Sequence, residues 1–416
     1  MKKRIIFHID VNSAYLSWEA TWRLQHGSSL DLRNIPSVVG GDPKSRHGII
    51  LAKSIPAKKY EIKTGETLYS ARQKCPDLLI VPPNYELYMK CSNVMYSILK
   101  EYSHLVQRYS IDECFVDYTQ SEDLFGDPLK VAYNISNRIK KELGFTVNIG
   151  IANNKLLAKM ASELEKPDKI HTLFPNEIED KMWKLPIDEL FMVGRRTLPK
   201  LKNIGINTIG DLAKADGFHM KSYLKSHGFL IWNYANGLDE TLVREEDIVQ
   251  KGIGNSTTMH YDVSDRREAN LVLLSLAEMV CMRLRNKNAL AKLISISIKN
   301  SDFLHYSHQC KIQSPTDSTN VIYKHVKKLF DEVWKLEPIR HLGVRVGELC
   351  GKEFYQTSFF DEDLLDQYRK IDKTVDSIRK RYGRESIIRG AFLNSGLKPI
   401  VGGVGEEEYQ MMSSLL

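Results

Sequence analysis

Continuous apolar runs alternate with amphipathic stretches over the first 170 or so residues. KRIIFHIDV (3–11) is apolar almost throughout and closes on a carboxylate, Asp10, which predicts a buried strand with a polar end. HGIILAKS (47–54), LLIVPP (78–83) and FTVNIGIAN (145–153) predict further strands. Apolar positions recur at helical spacing in ELYMKCSNVMYSILKEYS (86–103) and PLKVAYNISNRIKKELG (128–144). In the second, Lys and Arg gather toward the C-terminal end, where the helix dipole favours them. KLLAKMASELEKPD (155–168) predicts a helix stopped before Pro167. IPAKKYEIKTGETLYSARQKCP (55–76) predicts a short, basic, helical insertion. The order strand, helix, strand, strand, helix, strand is that of a ferredoxin-like βαββαβ sheet, its first strand separated from the rest by the insertion. SIDECFVDY (110–118) sets Asp112 and Glu113 side by side where the central hairpin turns. Neighbours on a regular strand point to opposite faces, but at a turn they need not. The first and central strands are adjacent in this topology, which lets Asp10, Asp112 and Glu113 meet.

The pattern changes near residue 172. LFMVGRRTLPKLKNIGINTIGDLAKAD (190–216) places glycine turns at Val193-Gly194 and Ile204-Gly205 between short helices, as in a helix-hairpin-helix. Such a hairpin offers backbone N–H groups to a phosphate, with Arg195, Arg196, Lys200 and Lys202 adding charge. A small helical bundle with glycine caps is the plainer alternative. GLDETLVREEDIVQ (237–250) has the polar, acidic character of a linker. Beyond it, LISISIKN (293–300) alternates like a half-buried strand and HLGVRVGEL (341–349) predicts a closing strand. EANLVLLSLAEMVCMRLRNKN (268–288) and TNVIYKHVKKLFDEVWKL (319–336) predict amphipathic helices. The tail from 351 is polar and weakly patterned, apart from a further amphipathic helix over DKTVDSIRKRYGRES (372–386).

Composition narrows the class. At 416 residues the chain exceeds one ordinary core and predicts several domains. Hydrophobic residues make up 42% and charged residues 27%, as in folded rather than disordered chains. The net charge of +7 permits a polyanionic partner without requiring one. Residues 251–350 hold 15 Lys and Arg against 10 Asp and Glu, so +5 of that charge sits in about a quarter of the length. This concentration fits an electrostatic footprint for nucleic acid, although a solvated basic helix face has the same signature. The six cysteines are scattered without a CxxC pair, which predicts reduced packing thiols and no zinc site. The basic start and apolar run of MKKRIIFHID resemble a secretory leader, but His8 and Asp10 interrupt it. No stretch reaches membrane-spanning length, so the expectation is a cytoplasmic protein with no membrane partner.

Three carboxylates at strand ends repel one another unless a cation sits among them. Oxygen-only ligands suit Mg²⁺ or Mn²⁺. Two such ions would activate a 3′-hydroxyl and stabilise a leaving pyrophosphate, which points to nucleotidyl transfer. Lys53, Lys58 and Lys159 lie on flanking elements and suit a triphosphate. An isolated Asp-Glu pair is most often only a turn; Asp10 at the end of a separate buried strand favours the site.

These residues fall in larger motifs. FHIDVNSAYLSWE (7–19), GGDPKSRHGIILAKS (40–54), YSIDECFVD (109–117), GIANNKLLAKMASELEKPD (150–168) and GNSTTM (254–259) occur in that order. In this the chain resembles the Y family of lesion-bypass DNA polymerases, in the bacterial branch of DNA polymerase IV and UmuC-like proteins. The resemblance runs from residue 4 to about 350. It implies an α+β multidomain fold: a ferredoxin-like palm at 1–26 and 79–171, small fingers at 27–78 and a helix-hairpin-helix thumb at 172–235. A linker at 236–250, an α/β little finger at 251–350 and a tail at 351–416 complete it.

The resemblance also implies roles. Asp10, Asp112 and Glu113 would be catalytic and ligate two Mg²⁺ ions (Mn²⁺ being an alternative), with the Val11 carbonyl as a fourth ligand. Tyr15 would be the steric gate under the deoxyribose. Asn12, Ala14, Tyr15, Ser54, Lys58 and Lys159 would hold the nucleotide. Relatives commonly read Tyr-x-x-Arg in the fingers; Ile55 and Lys58 stand there, a point charge in place of a bidentate fork. Tyr60 or Ser54 would have to supply the missing hydroxyl. Val193, Gly194, Arg195, Lys202 and Gly205 would contact DNA, and the little finger would grip duplex phosphates. QTSFF (356–360) resembles a sliding-clamp pentapeptide, with Gln356 and Ser358 polar and Phe359 and Phe360 filling an apolar cleft. Primer-template DNA, deoxynucleoside triphosphates and a bacterial sliding clamp are the implied partners of a monomer. Low fidelity and no proofreading exonuclease follow from the same resemblance. A nucleotide cyclase shares a related acidic hairpin, but the helix-hairpin-helix and basic C-terminal unit argue against it. A DNA-binding factor with a dead site is opposed by the intact acidic triad.

Overall fold

The computed structural model describes residues 3–41, 48–244, 250–351, 362–383, 385–393 and 395–396. The described residues fall into two compact units, one built from residues 3–41 and 49–244 and the other from residue 250 onward.

The first unit opens with β1 (Ile6–Val11) and α1 (Ala14–Gln25). An insertion follows, of β2 (Ser37–Gly40), β3 (Ile50–Lys53), α2 (Ile55–Lys58), α3 (Leu68–Lys74) and β4 (Leu79–Val81). The chain returns through α4 (Tyr85–Lys100), β5 (Val106–Arg108), β6 (Glu113–Asp117), α5 (Glu122–Phe125) and α6 (Pro128–Leu143). It closes the sheet with β7 (Val147–Ala152), α7 (Lys155–Glu163) and β8 (Ile170–Thr172).

The main sheet has the order β5-β6-β1-β7-β8. Apart from β8, this is the expected ferredoxin-like arrangement. β1 lies between β6 and β7 and is antiparallel to both. Its two neighbours bury every residue of it, so its sequence is a nearly unbroken apolar run instead of an alternating one. The expected helix up to Pro167 stops at Glu163. The Asn148 side-chain amide on β7 donates to the carbonyls of Ser162 and Glu165, which supplies partners to the helix end. Close packing of α7 on the sheet needs Gly150, because a Cβ there would meet the Ala158 carbonyl oxygen at 1.9 Å.

β4 pairs parallel with β2 in a small sheet of order β3-β2-β4, so residues 79–81 lie with the insertion, apart from the palm strands. After β8 come α8 (Ile178–Lys181), α9 (Leu198–Asn203), α10 (Ile209–Lys214) and α11 (Gly217–Ala235). They share one core with α7. The element immediately before Val193-Gly194 is a 3-10 turn (Ile187–Glu189) and not a helix, so the clear helical hairpin is α9–α10. Gly205 turns it with φ +84°, a left-handed value that favours glycine. The polar stretch after α11 lies along this unit: Asn154 donates to the Gly237 carbonyl, Asp239 accepts from Leu156 N–H, and Val243 is buried.

The second unit comprises β9 (Gly252–Val263), α12 (Arg266–Asn286), β10 (Ala289–Asn300), β11 (His305–Thr316), α13 (Thr319–Val333), β12 (Ile339–Gly351) and α14 (Glu362–Tyr382). Its antiparallel sheet runs β11-β10-β12-β9, with α12 and α13 contributing to the core. The tail helix α14 belongs to this unit through buried charge. The Asp372 carboxylate accepts from Thr319 N–H at 2.9 Å and so caps α13, whose own Ser318 makes no side-chain cap. Arg285, 7% exposed, pairs with Asp372 at 3.4 Å and donates to Asp376 at 2.9 Å. Glu278 accepts from Arg379 and Arg389. Arg285→Met takes the shared guanidinium from two largely buried carboxylates and leaves Asp372 with only the Thr319 N–H and the more distant Arg389. It is expected to cost the full chain about 3–5 kcal/mol, read as a lowered urea midpoint. An unchanged midpoint would show that α14 docks without this pair.

Candidate active site

Asp10 and Glu113 face each other in the β1–β6 register, while Asp112 lies just before β6 in the turn. The turn is closed by Tyr109 and Ser110 N–H groups donating to the Glu113 carbonyl. Val11 N–H donates to the Asp112 carbonyl at 3.1 Å and ties the strand end to the turn. Asp112 thereby escapes the strand alternation that would separate it from Glu113. Residues opposite each other share a sheet face, so Asp10, Glu113 and His8 lie on one side. Helix α7 packs against these strands and brings Lys159 and Ser162 to Glu113 and His8.

Each carboxylate has one oxygen held by the protein. The Asp10 Oδ2 accepts from Lys166, the Asp112 Oδ1 from Ser110, and the Glu113 Oε2 from Lys159 at 2.7 Å, with His8 Nε2 at 3.3 Å. The second oxygen of each has no hydrogen-bond partner among the described residues. Burial pushes Asp10 up to about 6 against the opposing pull of Lys166. Burial also raises Asp112, against its bond from Ser110. Burial would raise Glu113 too, but His8 and Lys159 outweigh it and hold it down at about 2. Poorly solvated carboxylates with a free oxygen each are hard donors suited to a divalent cation, and the residues present fit such an ion. They do not form a finished cage. Among the described residues no three His, Cys, Asp or Glu side chains are grouped to hold one ion. Asp10 and Asp112 line a common cavity with Val11, and Glu113 turns toward α7.

That cavity, about 610 Å³, is also lined by Asn12, Ala14, Tyr15, Ser54 and Lys58, all expected at the nucleotide. Lys159 does not line it; its ammonium is engaged by Glu113 and lies over the Tyr109 and Phe191 rings. Lys53, expected from the sequence to suit a triphosphate, lines it as well, and so do two cationic residues that sequence reasoning missed: Arg33 and Lys166. Arg33 is engaged by Asp31 and the Gly144 carbonyl. Lys166 bonds Asp10 and Glu163. Its only sequence signal was a lysine before Pro167, at the end of the expected helix. Burial lowers Lys53, and the nearby Lys58 ammonium lowers it further, so this wall favours an anion.

Tyr15 forms an aromatic wall. Its ring stacks on Tyr88 at 4.5 Å and 12°, and Tyr85 meets it edge-on at 6.1 Å. Tyr88 is fully buried and donates to Glu19 at 3.4 Å. Burial and the Asp112 charge push Tyr15 up to about 12, so its hydroxyl keeps its proton. Elsewhere, Gly194, Arg195, Lys202 and Gly205 are exposed around α9 and Val193 is buried. Gln356, Ser358, Phe359 and Phe360 lie outside the described residues. Among the described residues no helix is long and apolar enough to cross a membrane.

Known proteins share this framework. Residues 9–163 match the impB/mucB/samB family, and residues 250–359 match the C-terminal domain of that family. DNA polymerase IV of Clostridium acetobutylicum is 49% identical over 391 residues, covering 94% of this chain and 98% of that protein. DNA polymerase IV 1 of Bacillus subtilis is 38% identical, covering 94% of each chain. A solved Y-family DNA polymerase chimera, Dbh-Dpo4(243-245)-Dbh, has the same fold at a TM-score of 0.72 and 23% identity, over 84% of this chain and 100% of the chimera. With both parts matched and relatives aligned over nearly the full length, the chain belongs to the impB/mucB/samB family, the Y family of lesion-bypass DNA polymerases.

Proposed function

We propose that this chain is a template-directed DNA polymerase that extends a primer 3′ end with deoxynucleotides, including opposite damaged template positions. One observation carries the reading: a single cavity joins two free-oxygen carboxylates, a cationic wall and a rigid aromatic plate. Y-family DNA polymerases use divalent metal ions, which lower the barrier to 3′-hydroxyl attack and neutralise the leaving pyrophosphate. Asp10, Asp112, Glu113 and the Val11 carbonyl would hold two such ions, with Mg²⁺ favoured by the all-oxygen set and Mn²⁺ as a substitute. Lys53, Lys58 and Lys166 stand where they can neutralise a triphosphate. Ser54 is buried and structurally committed, since it caps α2 and bonds the Ile35 carbonyl. Tyr15 presents its ring to the sugar. Among the described residues the insertion carries only short helices around a small sheet, which suits a tolerant, low-fidelity pocket without a long closing helix.

Residues 1–26 with 82–171 act as the palm, 27–81 as the fingers, 172–235 as the thumb and 251–350 as the little finger. Primer-template phosphates are held by the thumb around Val193, Gly194, Arg195, Lys202 and Gly205 and by the basic little finger. The protein works as a cytoplasmic monomer and lacks proofreading. The test is primer extension on undamaged and lesion-bearing templates, with and without a bacterial sliding clamp. Synthesis on both templates, without 3′-end trimming, is expected. Failure on either undamaged DNA or every lesion would overturn the corresponding half of the reading.

Clamp binding rests on Gln356, Ser358, Phe359 and Phe360. Replacing Gln356, Phe359 and Phe360 with alanine is expected to remove clamp stimulation and to leave distributive synthesis within about twofold, as loss of a peptide anchor should. Loss of both activities would instead indicate a folding role.

A further inference from the structure

His8 lies in the middle of β1, among apolar neighbours, and is fully buried. A polar ring in such a place is costly unless its nitrogens are matched. Both nitrogens are within hydrogen-bonding reach of polar oxygens. Nδ1 is 2.8 Å from the Ser162 Oγ, and Nε2 is 3.3 Å from the Glu113 Oε2. Ser162 in turn donates to the Lys159 carbonyl at 2.8 Å, and the Lys159 ammonium donates to the same Glu113 Oε2 at 2.7 Å. The imidazole also packs on Phe115, with centroids 4.6 Å apart. Gly150 stands opposite His8 in the register and admits α7 close to the sheet.

Two groups therefore converge on one oxygen of Glu113, and the other has no partner among the described residues. A glutamate side chain has several soft torsions and loses rotamer freedom only if something holds it. Here the holding comes from behind, through β1 and α7. We propose that His8 is a positioning residue that, together with Lys159, pins Oε2 of Glu113 and leaves Oε1 as the oxygen offered to a divalent cation. The inference rests on the polymerase reading of the site. It assigns Lys159 to the carboxylate in place of the triphosphate.

The experiment uses the full chain. His8→Phe keeps an aromatic ring in place and removes both nitrogens; His8→Gln returns an amide donor. Mn²⁺ binding is followed by electron paramagnetic resonance in the absence of nucleotide, beside steady-state primer extension. For His8→Phe, Mn²⁺ binding is expected to weaken about tenfold and kcat to fall about 10- to 100-fold, as when the support of a metal ligand is lost. The KM for the deoxynucleotide should stay within about twofold, because the cationic wall is untouched. His8→Gln should recover most of both losses.

Wild-type Mn²⁺ affinity in a folded His8→Phe protein overturns the proposal, and so does a fall in kcat that His8→Gln does not reverse. Should His8→Phe not fold, Ser162→Ala removes only the Nδ1 anchor. It should weaken Mn²⁺ binding in the same direction, and unchanged binding overturns the proposal equally. Asp112→Ala separates the two levels. If it leaves extension intact, the polymerase reading of the site falls. If it abolishes extension while His8→Phe behaves as wild type, only the positioning role falls.

Discussion

Asp112→Ala is expected to reduce primer extension by about 1,000-fold or more, equivalent to about 4 kcal/mol of lost transition-state stabilisation. Asp112 is the turn residue that shares the cavity with Asp10. One of its oxygens is committed to Ser110 and the other is free for a cation. Removing it leaves Asp10 as the one carboxylate on that wall, and its free oxygen alone holds a divalent ion poorly. Primer-template binding should change less than about threefold, because the phosphate contacts proposed for the thumb and little finger lie on other elements and would set affinity through counterion release. The measurements are single-turnover extension and DNA binding at fixed salt. Extension within tenfold of wild type would remove Asp112 from the metal site; a large loss of DNA binding would point to a collapsed hairpin.

Tyr15→Ala is expected to raise the use of ribonucleotides relative to deoxynucleotides by about 100-fold or more, through loss of a built-in clash worth about 2.7 kcal/mol. Rejection by a clash needs a wall that does not yield. Tyr15 cannot easily move aside, because it is stacked on buried Tyr88 and met edge-on by Tyr85. Tyr15→Phe keeps the ring and should keep the discrimination. The ratio of kcat/KM for the two sugars decides the matter; an unaltered ratio in Tyr15→Ala would place the gate on another residue.

Lys159 and Lys166 show where sequence reading stops. Both are lysines on or just beyond one helix, and nothing local distinguishes them. Helix α7 ends early, so Lys166 leaves the helix and enters the cavity, whereas Lys159 stays on the helix and meets Glu113. β9 and β11 were also illegible. Their exposed faces are filled by Ser, Thr, His and Gln, and their apolar alternation is weak. β2 and β8 span only four and three residues, too short for any period to register. α14 was legible as a helix, but its docking was not, because Asp372 and Asp376 find Arg285 only after folding.

The sequence by itself determined the palm order, the long helices and the acidic pair at a hairpin turn. These depend on apolar spacing and turn chemistry within a few residues. Only the tertiary structure decided which partner holds each carboxylate and which lysine faces the cavity. His8 and Glu113 are 105 positions apart, and Lys166 and Asp10 are 156 apart. Hydrogen bonds act over about 3 Å, so such pairings exist only once the sheet and α7 have brought those side chains together.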